Sequence, residues 1–287
     1  MPGFGQQIQA SAGDLDWALA MSLRIATWNI NSVRLRAELA VRLLKEQHID
    51  ILCLQETKCP PGQFPSSVFS EAGFIHIADH GQVGYHGVAI VSRIPFHEIS
   101  QRQFCGKNDA RHIAVRLTGE VPVLIHNLYV PAGGDLPNPE VNWKFAHKLQ
   151  FLDELTQWFG EAGNHRAGPA MVLGDLNVAP HENDVWSHKA LLSVVSHTPV
   201  ETDKLKAFLS RSGLVDAMRA RIPLEEKLYT WWSYRARDWR ASNRGRRLDH
   251  IWLDPELNRA CSTLDVMSEV RGWLRPSDHV PVVATIG

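Results

Sequence analysis

Apolar runs alternate with an amphipathic stretch at the start of the chain. Residues 23–28 and 49–54 are apolar runs of strand length, and each predicts a buried strand. Between them Leu35, Leu39 and Leu43 repeat every four residues, while basic residues occupy other positions. This spacing predicts a helix that buries the three leucines.

The middle of the chain contains short strands with little room for helices between them. A glycine-rich turn over residues 81–87 separates the predicted strands 74–78 and 88–91, and strands 113–117 and 123–130 follow. Parallel pairing needs long crossovers, so these strands are expected to pair at least partly antiparallel.

The second half of the chain returns to helices and strands. Apolar residues spaced by four, three, three and four positions predict a long helix: Phe145, Leu149, Leu152, Leu155 and Phe159. A strand over 170–173, a helix over 203–211 and late strands around Trp252, 263–267 and 280–286 complete the pattern. Together these elements predict one α/β domain with mixed sheets between helical layers.

Composition supports a single globular domain and indicates the cellular compartment in which it is expected to act. The chain has 287 residues, of which 44% are hydrophobic and 21% charged, as in ordinary globular proteins with a substantial core. Its four cysteines form no Cys-x-x-Cys pair, so we expect no disulfide framework or zinc cluster, and a cytoplasmic, reducing location. No apolar run approaches the roughly 18 residues that a membrane span needs.

The first residues differ from the remainder of the chain. Residues 1–20 contain no lysine or arginine and lack an apolar middle, so they do not resemble a secretory signal. We predict a flexible extension over residues 1–22 and a folded domain over residues 23–287.

Positive charge is concentrated in one segment although the net charge is only −1. Six arginines and a single acid lie between Arg235 and Arg247, next to Trp231, Trp232, Tyr234 and Trp239. A cationic loop with aromatic residues is suited to bind phosphates and stack on bases. The alternative is a solvated loop that tryptophans anchor in the core.

Acids, amides and a phenol stand where several apolar strands or turns end. Each residue alone is compatible with a turn or a helix cap, but strand ends are also where open sheets place catalytic groups. The residues in question are Asn29, Asn31, Glu56, Tyr129, Asp175, Asn177, Asp249, His250, Asp278 and His279.

Carboxylates that converge at one edge repel each other unless a cation or a proton lies among them. Oxygen ligands without a cysteine and histidine cluster favour Mg²⁺, or Mn²⁺, over zinc. His279 is suited to acid–base chemistry or to hydrogen bonding with a phosphate, with a carboxylate such as Asp249 fixing its tautomer. The residues therefore indicate metal-assisted phosphoester hydrolysis, and they leave the substrate open.

Six segments, in this order, resemble the motifs of the exonuclease III and AP endonuclease family. They are IATWNINSVR (25–34), LQETK (54–58), YVPAG (129–133), GDLNVAP (174–180), RLDH (247–250) and SDHVP (277–281). The resemblance extends from about Leu23 to the C-terminus. It implies a four-layer α/β sandwich, with two mixed β-sheets packed face to face and helices outside, and makes residues 23–287 the catalytic domain.

The resemblance also implies a role for each matched residue. Glu56 resembles the main metal ligand, with Asn29 and Asp278 beside it. The full set of candidate ligands for Mg²⁺, with Mn²⁺ as a substitute, is Asn29, Glu56, Asp175, Asn177, Asp278 and His279.

The catalytic residues that the resemblance implies are Tyr129, Asp175, Asn177, Asp249 and His279. Asp175 resembles the residue that positions and deprotonates the attacking water, and Asn177 and Tyr129 resemble groups that contact the phosphate. Asp249 and His279 resemble a catalytic pair. The candidate DNA-binding residues are Asn31, Arg111, Trp231, Arg235 and Arg246.

Members of this family cut duplex DNA 5′ to abasic sites and trim 3′ ends, so we expect a monomeric DNA-repair nuclease acting on such DNA. Arg246 departs from the family pattern, because relatives place Trp or Leu at this position, over the abasic sugar. A guanidinium there puts strict preference for abasic sites in doubt and favours activity on 3′ ends.

Two alternatives remain open from the sequence. One is another phosphoesterase of the same superfamily, such as an inositol-phosphate phosphatase, a sphingomyelinase or a secreted deoxyribonuclease. The other is a relative that binds DNA without catalysis.

Overall fold

A computed structural model describes residues 22–119, 122–161, 163 and 167–287 of the chain. Apart from Ser22, the predicted N-terminal extension lies outside the described residues. None of the described helices is long and apolar enough to cross a membrane.

Two six-stranded mixed sheets form the centre of the molecule. The strands of the first sheet are β1 (Leu23–Asn29), β2 (Ile51–Gln55), β3 (His76–His80), β4 (Val88–Ser92), β13 (Cys261–Val266) and β14 (Val282–Ile286). Those of the second are β5 (Phe96–Ser100), β6 (His112–Leu117), β7 (Leu124–Tyr129), β8 (Ala170–Asp175), β9 (Val215–Asp216) and β12 (Asp249–Leu253). The first sheet has the order β13-β14-β1-β2-β4-β3 and the second the order β5-β6-β7-β8-β12-β9.

Helices and a short hairpin complete the domain. The hairpin pairs β10 (Trp231–Trp232) with β11 (Gly245–Arg246). The α-helices are α1 (Val33–Glu46), α2 (Ser66–Glu71), α3 (Trp143–Gly160), α4 (His188–Leu191), α5 (Pro199–Ser212), α6 (Trp239–Ser242) and α7 (Pro255–Ala260). Two 3₁₀ helices span Glu182–Asp184 and Ser268–Gly272.

The two sheets repeat the same central arrangement. In the first, β1 pairs with β2 in parallel and with β14 antiparallel, and in the second β8 pairs with β7 in parallel and with β12 antiparallel. One core cluster joins residues of both sheets, including Ile25, Ile51, Ile125 and Leu173. The predicted four-layer sandwich is confirmed, with mixed sheets packed face to face and helical layers outside.

The outer layers bury their own apolar faces. Helices α1 and α2 contribute to a second cluster around Trp28, and α3 and α5 contribute to a third around Trp252. Hydrophobic burial on both faces explains why the central strands are near-continuous apolar runs.

One expectation from the pattern was wrong in part, and one strand was missed. Leu43 is buried and Leu39 packs against the same cluster, as predicted, but Leu35 is 73% exposed. Besides Leu43, α1 buries Val33, Ala37, Ala40, Val41 and Leu44 against the sheet. The small alanines on this face let the helix lie close to the strands, and Arg36 breaks the helical geometry beside Leu35. Strand β5 was missed because it is an edge strand with mostly exposed residues and carries no apolar run.

Candidate active site

The registers of the central strands bring the predicted polar residues to one edge of both sheets. Asn29 ends β1, Tyr129 ends β7, and Glu56 directly follows β2. Asp175 lies between two neighbours on its sheet, since Tyr129 and Asp249 are its register partners. Gly174 permits this close pairing, because a Cβ there would collide with the carbonyl oxygen of Leu128.

Asn29 links the two sheets at this edge. Its Nδ2 donates to Glu56 Oε1 at 3.1 Å and to Asp175 Oδ2 at 2.9 Å. The Tyr129 hydroxyl donates to the same Glu56 oxygen at 2.8 Å. Glu56 has a φ of 49°, in the left-handed region that few non-glycine residues adopt, so the backbone is strained where it presents this carboxylate.

Asn177 forms a tight turn over Asp175. Its backbone N–H donates to Asp175 Oδ1 at 2.9 Å, and its side-chain Nδ2 donates to Asp175 Oδ2 at 3.1 Å and to the carbonyl of Val130 at 2.9 Å. Like Glu56, Asn177 has a left-handed φ, of 53°.

A buried lysine that was not predicted from the sequence stabilises this turn through a hydrogen bond to its backbone. Lys148 Nζ donates to the Asn177 carbonyl at 2.7 Å and forms a fully buried ion pair with Glu201. The signal was present in the sequence, because Lys148 interrupts the apolar face of the long helix between Phe145 and Leu152.

Asp249 and His279 form the predicted pair. Asp249 Oδ2 lies 2.8 Å from His279 Nδ1 and also accepts a hydrogen bond from the Thr230 hydroxyl at 2.6 Å. The other ring nitrogen, Nε2, lies 3.8 Å from Asp175 Oδ2. Thr230, which the sequence reasoning missed, therefore fixes the carboxylate that orients the imidazole.

Burial and mutual charge shift the pKa values of these groups. Burial raises the pKa of Asp175 to about 7, against the opposing effect of His279. Burial alone would lower the pKa of His279, but the Asp249 and Asp175 carboxylates outweigh it and raise that pKa to about 10. Burial and the nearby Glu56 and Asp175 carboxylates raise the pKa of Tyr129 well above its ordinary value. At neutral pH His279 is thus a cation and Tyr129 a neutral phenol, so both are hydrogen-bond donors.

The Lys58 ammonium lies between oxygen atoms of Glu56 and Asn31. Lys58 Nζ lies 2.9 Å from Glu56 Oε2 and 2.6 Å from Asn31 Oδ1. Burial alone would raise the pKa of Glu56, but the Lys58 ammonium outweighs it and lowers that pKa. Asn31 Nδ2 in turn donates to Asp278 Oδ1 at 3.0 Å.

The donor set at this edge fits a hard divalent cation. Asp175, Asp249 and His279 bring one candidate ligand atom each to within 4.8 Å of one another, and all three are buried. Asp249 Oδ1 is buried without a hydrogen-bond partner among the described residues. Carboxylate and amide oxygens without a thiolate match the preference of Mg²⁺ and Mn²⁺.

Glu56, Asn177 and His279 line an open cleft of about 650 Å³. Asn29, Tyr129, Asp175 and Asp249 each share a hydrogen bond with one of these three residues. We use cleft floor for Asn29, Glu56, Tyr129, Asp175, Asn177, Asp249 and His279. We use cleft wall for the residues beside it, Trp186, Trp231 and Arg246, which line the same cleft. Asp278 joins the two, because its Oδ2 accepts a hydrogen bond from Trp231 Nε1 at 2.9 Å.

Arg246 belongs to the cleft wall and does not point freely into solvent. Its NH1 donates to the Val195 carbonyl at 2.9 Å and to Ser196 Oγ at 2.8 Å. Its guanidinium lies 5.4 Å from the centre of the Trp231 ring. Trp186, which the sequence reasoning missed, adds a second aromatic surface and is covered by Arg244 at 4.7 Å.

The basic loop divides into two kinds of arginine. Arg235, Arg237 and Arg240 are exposed, and Arg235 lines the cleft. Arg247 is fully buried in ion pairs with Asp184 and Asp216, so its charge is structural and is not available to a phosphate. Trp232 is also a core residue.

Arg111 lies apart from the cleft, although it was predicted together with the DNA-binding set. It is 5% exposed, donates to the Tyr129 carbonyl at 3.3 Å and pairs with Asp109 at 3.2 Å. It lies behind Tyr129 and lines a separate cavity next to the cleft.

Comparison with known proteins agrees with this geometry. Residues 26–279 match the model of the endonuclease/exonuclease/phosphatase family. Exodeoxyribonuclease III of Haemophilus influenzae is 26% identical over 275 residues, which cover 91% of this chain and 99% of that protein.

Two solved structures are similar in both fold and sequence. An AP endonuclease from Archaeoglobus fulgidus superposes with a TM-score of 0.83 at 33% identity, covering 92% of this chain and 99% of that one. The 3′ phosphatase NExo from Neisseria, bound to a product DNA hairpin, has a TM-score of 0.83 at 32% identity with the same coverage. The chain therefore belongs to the endonuclease/exonuclease/phosphatase family, and within it to the exonuclease III and AP endonuclease group of nucleases.

Proposed function

We propose that this nuclease hydrolyses the phosphodiester 5′ to abasic sites in duplex DNA and also removes nucleotides, phosphates and sugar fragments from 3′ ends. The observation that carries the proposal is the convergence of Asp175, Asn177 and His279 on one point of the cleft floor, next to an aromatic wall.

The hydrolysis needs a base, a set of donors and a leaving-group environment. Asp175 accepts a proton from water, whose oxygen attacks the phosphorus while the bond to the 3′ oxygen breaks and that oxygen takes a proton from solvent water. The raised pKa of Asp175, about 7, suits a base that works near neutral pH.

Three donors face the phosphate in this assignment. The Nδ1–H of His279 donates a hydrogen bond to Asp249, which leaves the Nε2–H free to donate to a phosphate oxygen. Asn177 Nδ2 and the Tyr129 hydroxyl now donate to Asp175 and Glu56, and each can turn to the more highly charged phosphate.

Mg²⁺, with Mn²⁺ as a substitute, fits the oxygen donors of the floor. Glu56, Asn29 and Asp278 are the residues that we propose would hold it. Asp175, Asn177 and His279, which the sequence also offered as ligands, are assigned instead to the base and to two of the donors described above. When bound, the metal supplies polarisation of the phosphate and stabilisation of the leaving oxygen.

The cleft wall is proposed to receive the sugar that leaves the helical stack. An abasic sugar leaves it most easily, because no base pairing or stacking is lost. Arg246 makes this wall less apolar than tryptophan or leucine would, so we expect substantial activity at ordinary 3′ ends. The relatives include both an AP endonuclease and a DNA-bound 3′ phosphatase, which supports both activities.

Duplex DNA with abasic sites or damaged 3′ ends is therefore the proposed partner, bound by a monomer. We keep the cytoplasmic, reducing location as part of the proposal.

A panel of substrates tests the proposal directly. The purified protein is assayed for cleavage of an abasic duplex, a 3′-phosphate duplex, a recessed 3′ end and a small phosphoester, each with Mg²⁺ or with EDTA. Binding to the same duplexes is measured by gel shift. We expect Mg²⁺-dependent cleavage 5′ to the abasic site and Mg²⁺-dependent trimming of both 3′ ends. Binding without cleavage would instead identify a non-catalytic relative, and cleavage of only small phosphoesters would identify another branch of the superfamily.

A further inference from the structure

A second cavity, of about 500 Å³, adjoins the cleft. The two share Glu56, Ala132 and Gly134, but their remaining linings differ. Glu56 and Tyr129, both residues of the cleft floor, line this second cavity, so it lies next to the place proposed for the scissile phosphate. Apart from these two and Arg111, which the resemblance makes a DNA contact, its lining residues have no role in the proposed function.

Positive charge dominates the second cavity. Lys58, Lys107, Arg111 and Lys144 line it, against the acids Glu56 and Asp109. Asp109 already pairs with Arg111, and Glu56 with Lys58. Lys107 and Lys144 therefore remain available to neutralise a phosphate of a bound strand.

An exposed tryptophan side chain lines the second cavity. Trp143, the first residue of α3, is 64% exposed and lines the cavity. Lys107 Nζ lies 4.6 Å and Lys144 Nζ 5.9 Å from the centre of its ring. Aromatic rings among cations are the usual platform on which proteins stack the bases of single-stranded nucleic acids.

Two imidazoles in the lining have buried nitrogen atoms without a partner among the described residues. They are His147 Nε2, on a side chain that is 7% exposed, and His86 Nδ1. Burial and nearby cations lower the pKa of both histidines to about 4, so both are neutral at pH 7. A neutral imidazole can donate to or accept from the polar edge of a base.

We infer that this second cavity binds an unpaired nucleotide next to the scissile phosphate, with its base stacked on Trp143 and its phosphate beside Lys107 and Lys144. A base inside a duplex is already stacked on its neighbours, whereas an unpaired base has a free face for the tryptophan. The protein therefore acts on single-stranded 3′ overhangs, with the last nucleotide in the cleft and the one before it in the second cavity. The inference rests on the proposed nuclease function.

The test compares a duplex that carries a short 3′ overhang with a duplex that has a recessed 3′ end. Wild-type protein is expected to degrade both. Trp143→Ala should lower kcat/KM on the overhang by about fivefold or more, the low end of one base–aromatic stack, and by less than about twofold on the recessed end. Trp143→Phe should retain most of the overhang activity, because it keeps an aromatic face.

Two further variants separate stacking from charge and from surface effects. Lys107→Gln should flatten the dependence of log Kd on log salt by about 0.7 for single-stranded DNA, as expected when the protein neutralises one phosphate fewer. Ile75→Ala is the matched control, because Ile75 is 66% exposed and lines neither cavity; it should change neither activity.

The outcomes distinguish this inference from the proposed function. Cleavage of abasic and recessed substrates with no action on the overhang would overturn the inference alone. An overhang activity that Trp143→Ala leaves unchanged, or an equal loss on both ends, would also overturn it. A protein inactive on every substrate would contradict the proposed function itself.

Discussion

The cleft floor and the cleft wall are built in different ways. On the floor, hydrogen bonds of 2.8 to 3.1 Å connect Asn29, Glu56, Tyr129 and Asp175, and the strand registers of both sheets fix their positions. On the wall, Trp231 and Arg246 belong to a two-stranded hairpin, and Arg246 is held by a loop carbonyl and a serine.

This difference suggests a division of labour. A floor shared by two sheets cannot adapt one residue without disturbing several others, whereas the wall can change one side chain at a time. We expect changes in the floor to reduce hydrolysis of every substrate and changes in the wall to alter the choice among substrates.

The largest effect is expected from Glu56→Ala. Removing the carboxylate should lower kcat/KM at ordinary Mg²⁺ by at least about 10⁴-fold, because a charged metal ligand is lost. The fold should remain intact, which circular dichroism and thermal unfolding check. Near-wild-type turnover at low millimolar Mg²⁺ would contradict the assignment.

Asp175→Asn should reduce the rate by about 10³-fold, within the range of general-base catalysis. The amide keeps the shape of the carboxylate but cannot accept the proton, so binding of abasic DNA should persist in a gel-shift assay. A variant that loses binding and rate together would indicate a structural role instead.

The Asp249 and His279 pair should behave as one unit. Their contact of 2.8 Å predicts that Asp249→Ala and His279→Ala are non-additive in kcat. A double variant whose loss equals the product of the two single losses would show that they act independently.

A smaller effect is expected from the exposed part of the basic loop. Replacing Arg235, Arg237 and Arg240 with glutamine should weaken binding to all duplexes alike and flatten the salt dependence by about 0.9 for each phosphate that the loop no longer neutralises. Unchanged affinity at two salt concentrations would mean that the loop is a solvated surface. Arg247 is omitted from this set, because its buried ion pairs make it part of the core.

The smallest change in total activity, and the most specific, is expected from Arg246→Trp. A tryptophan there would make the wall more apolar and exclude water from it. The ratio of kcat/KM on an abasic duplex to that on a recessed 3′ end should therefore rise severalfold. Metal dependence should not change. An unaltered ratio would show that this position does not set specificity.

The sequence predicted the residues of the cleft floor better than the residues that hold them in position or lie beside them. Glu56 and Asp175 follow apolar strands, so their place at a sheet edge was evident from the local pattern, and the motif resemblance supplied the partners. Thr230, Lys58 and Trp186 were missed because their contacts depend on how distant segments meet, for example Thr230 with Asp249.

Local periodicity also has a definite limit in this fold. The leucine repeat in α1 correctly predicted that Leu43 is buried, but it also included Leu35, which is exposed, and it gave no sign of the alanines that approach the sheet. Sequence alone likewise could not separate Arg246 from Arg247, whose neighbouring side chains enter a cleft wall and a buried ion-pair cluster.

The central claim is that the floor performs the hydrolysis and the wall selects the substrate. The most direct test measures kcat/KM for wild type, Asp175→Asn and Arg246→Trp on an abasic duplex and on a recessed 3′ end, under one set of Mg²⁺ and salt conditions. We predict that Asp175→Asn lowers both values by the same factor, whereas Arg246→Trp changes their ratio. A floor variant that changes the ratio, together with a wall variant that lowers both values equally, would contradict the account.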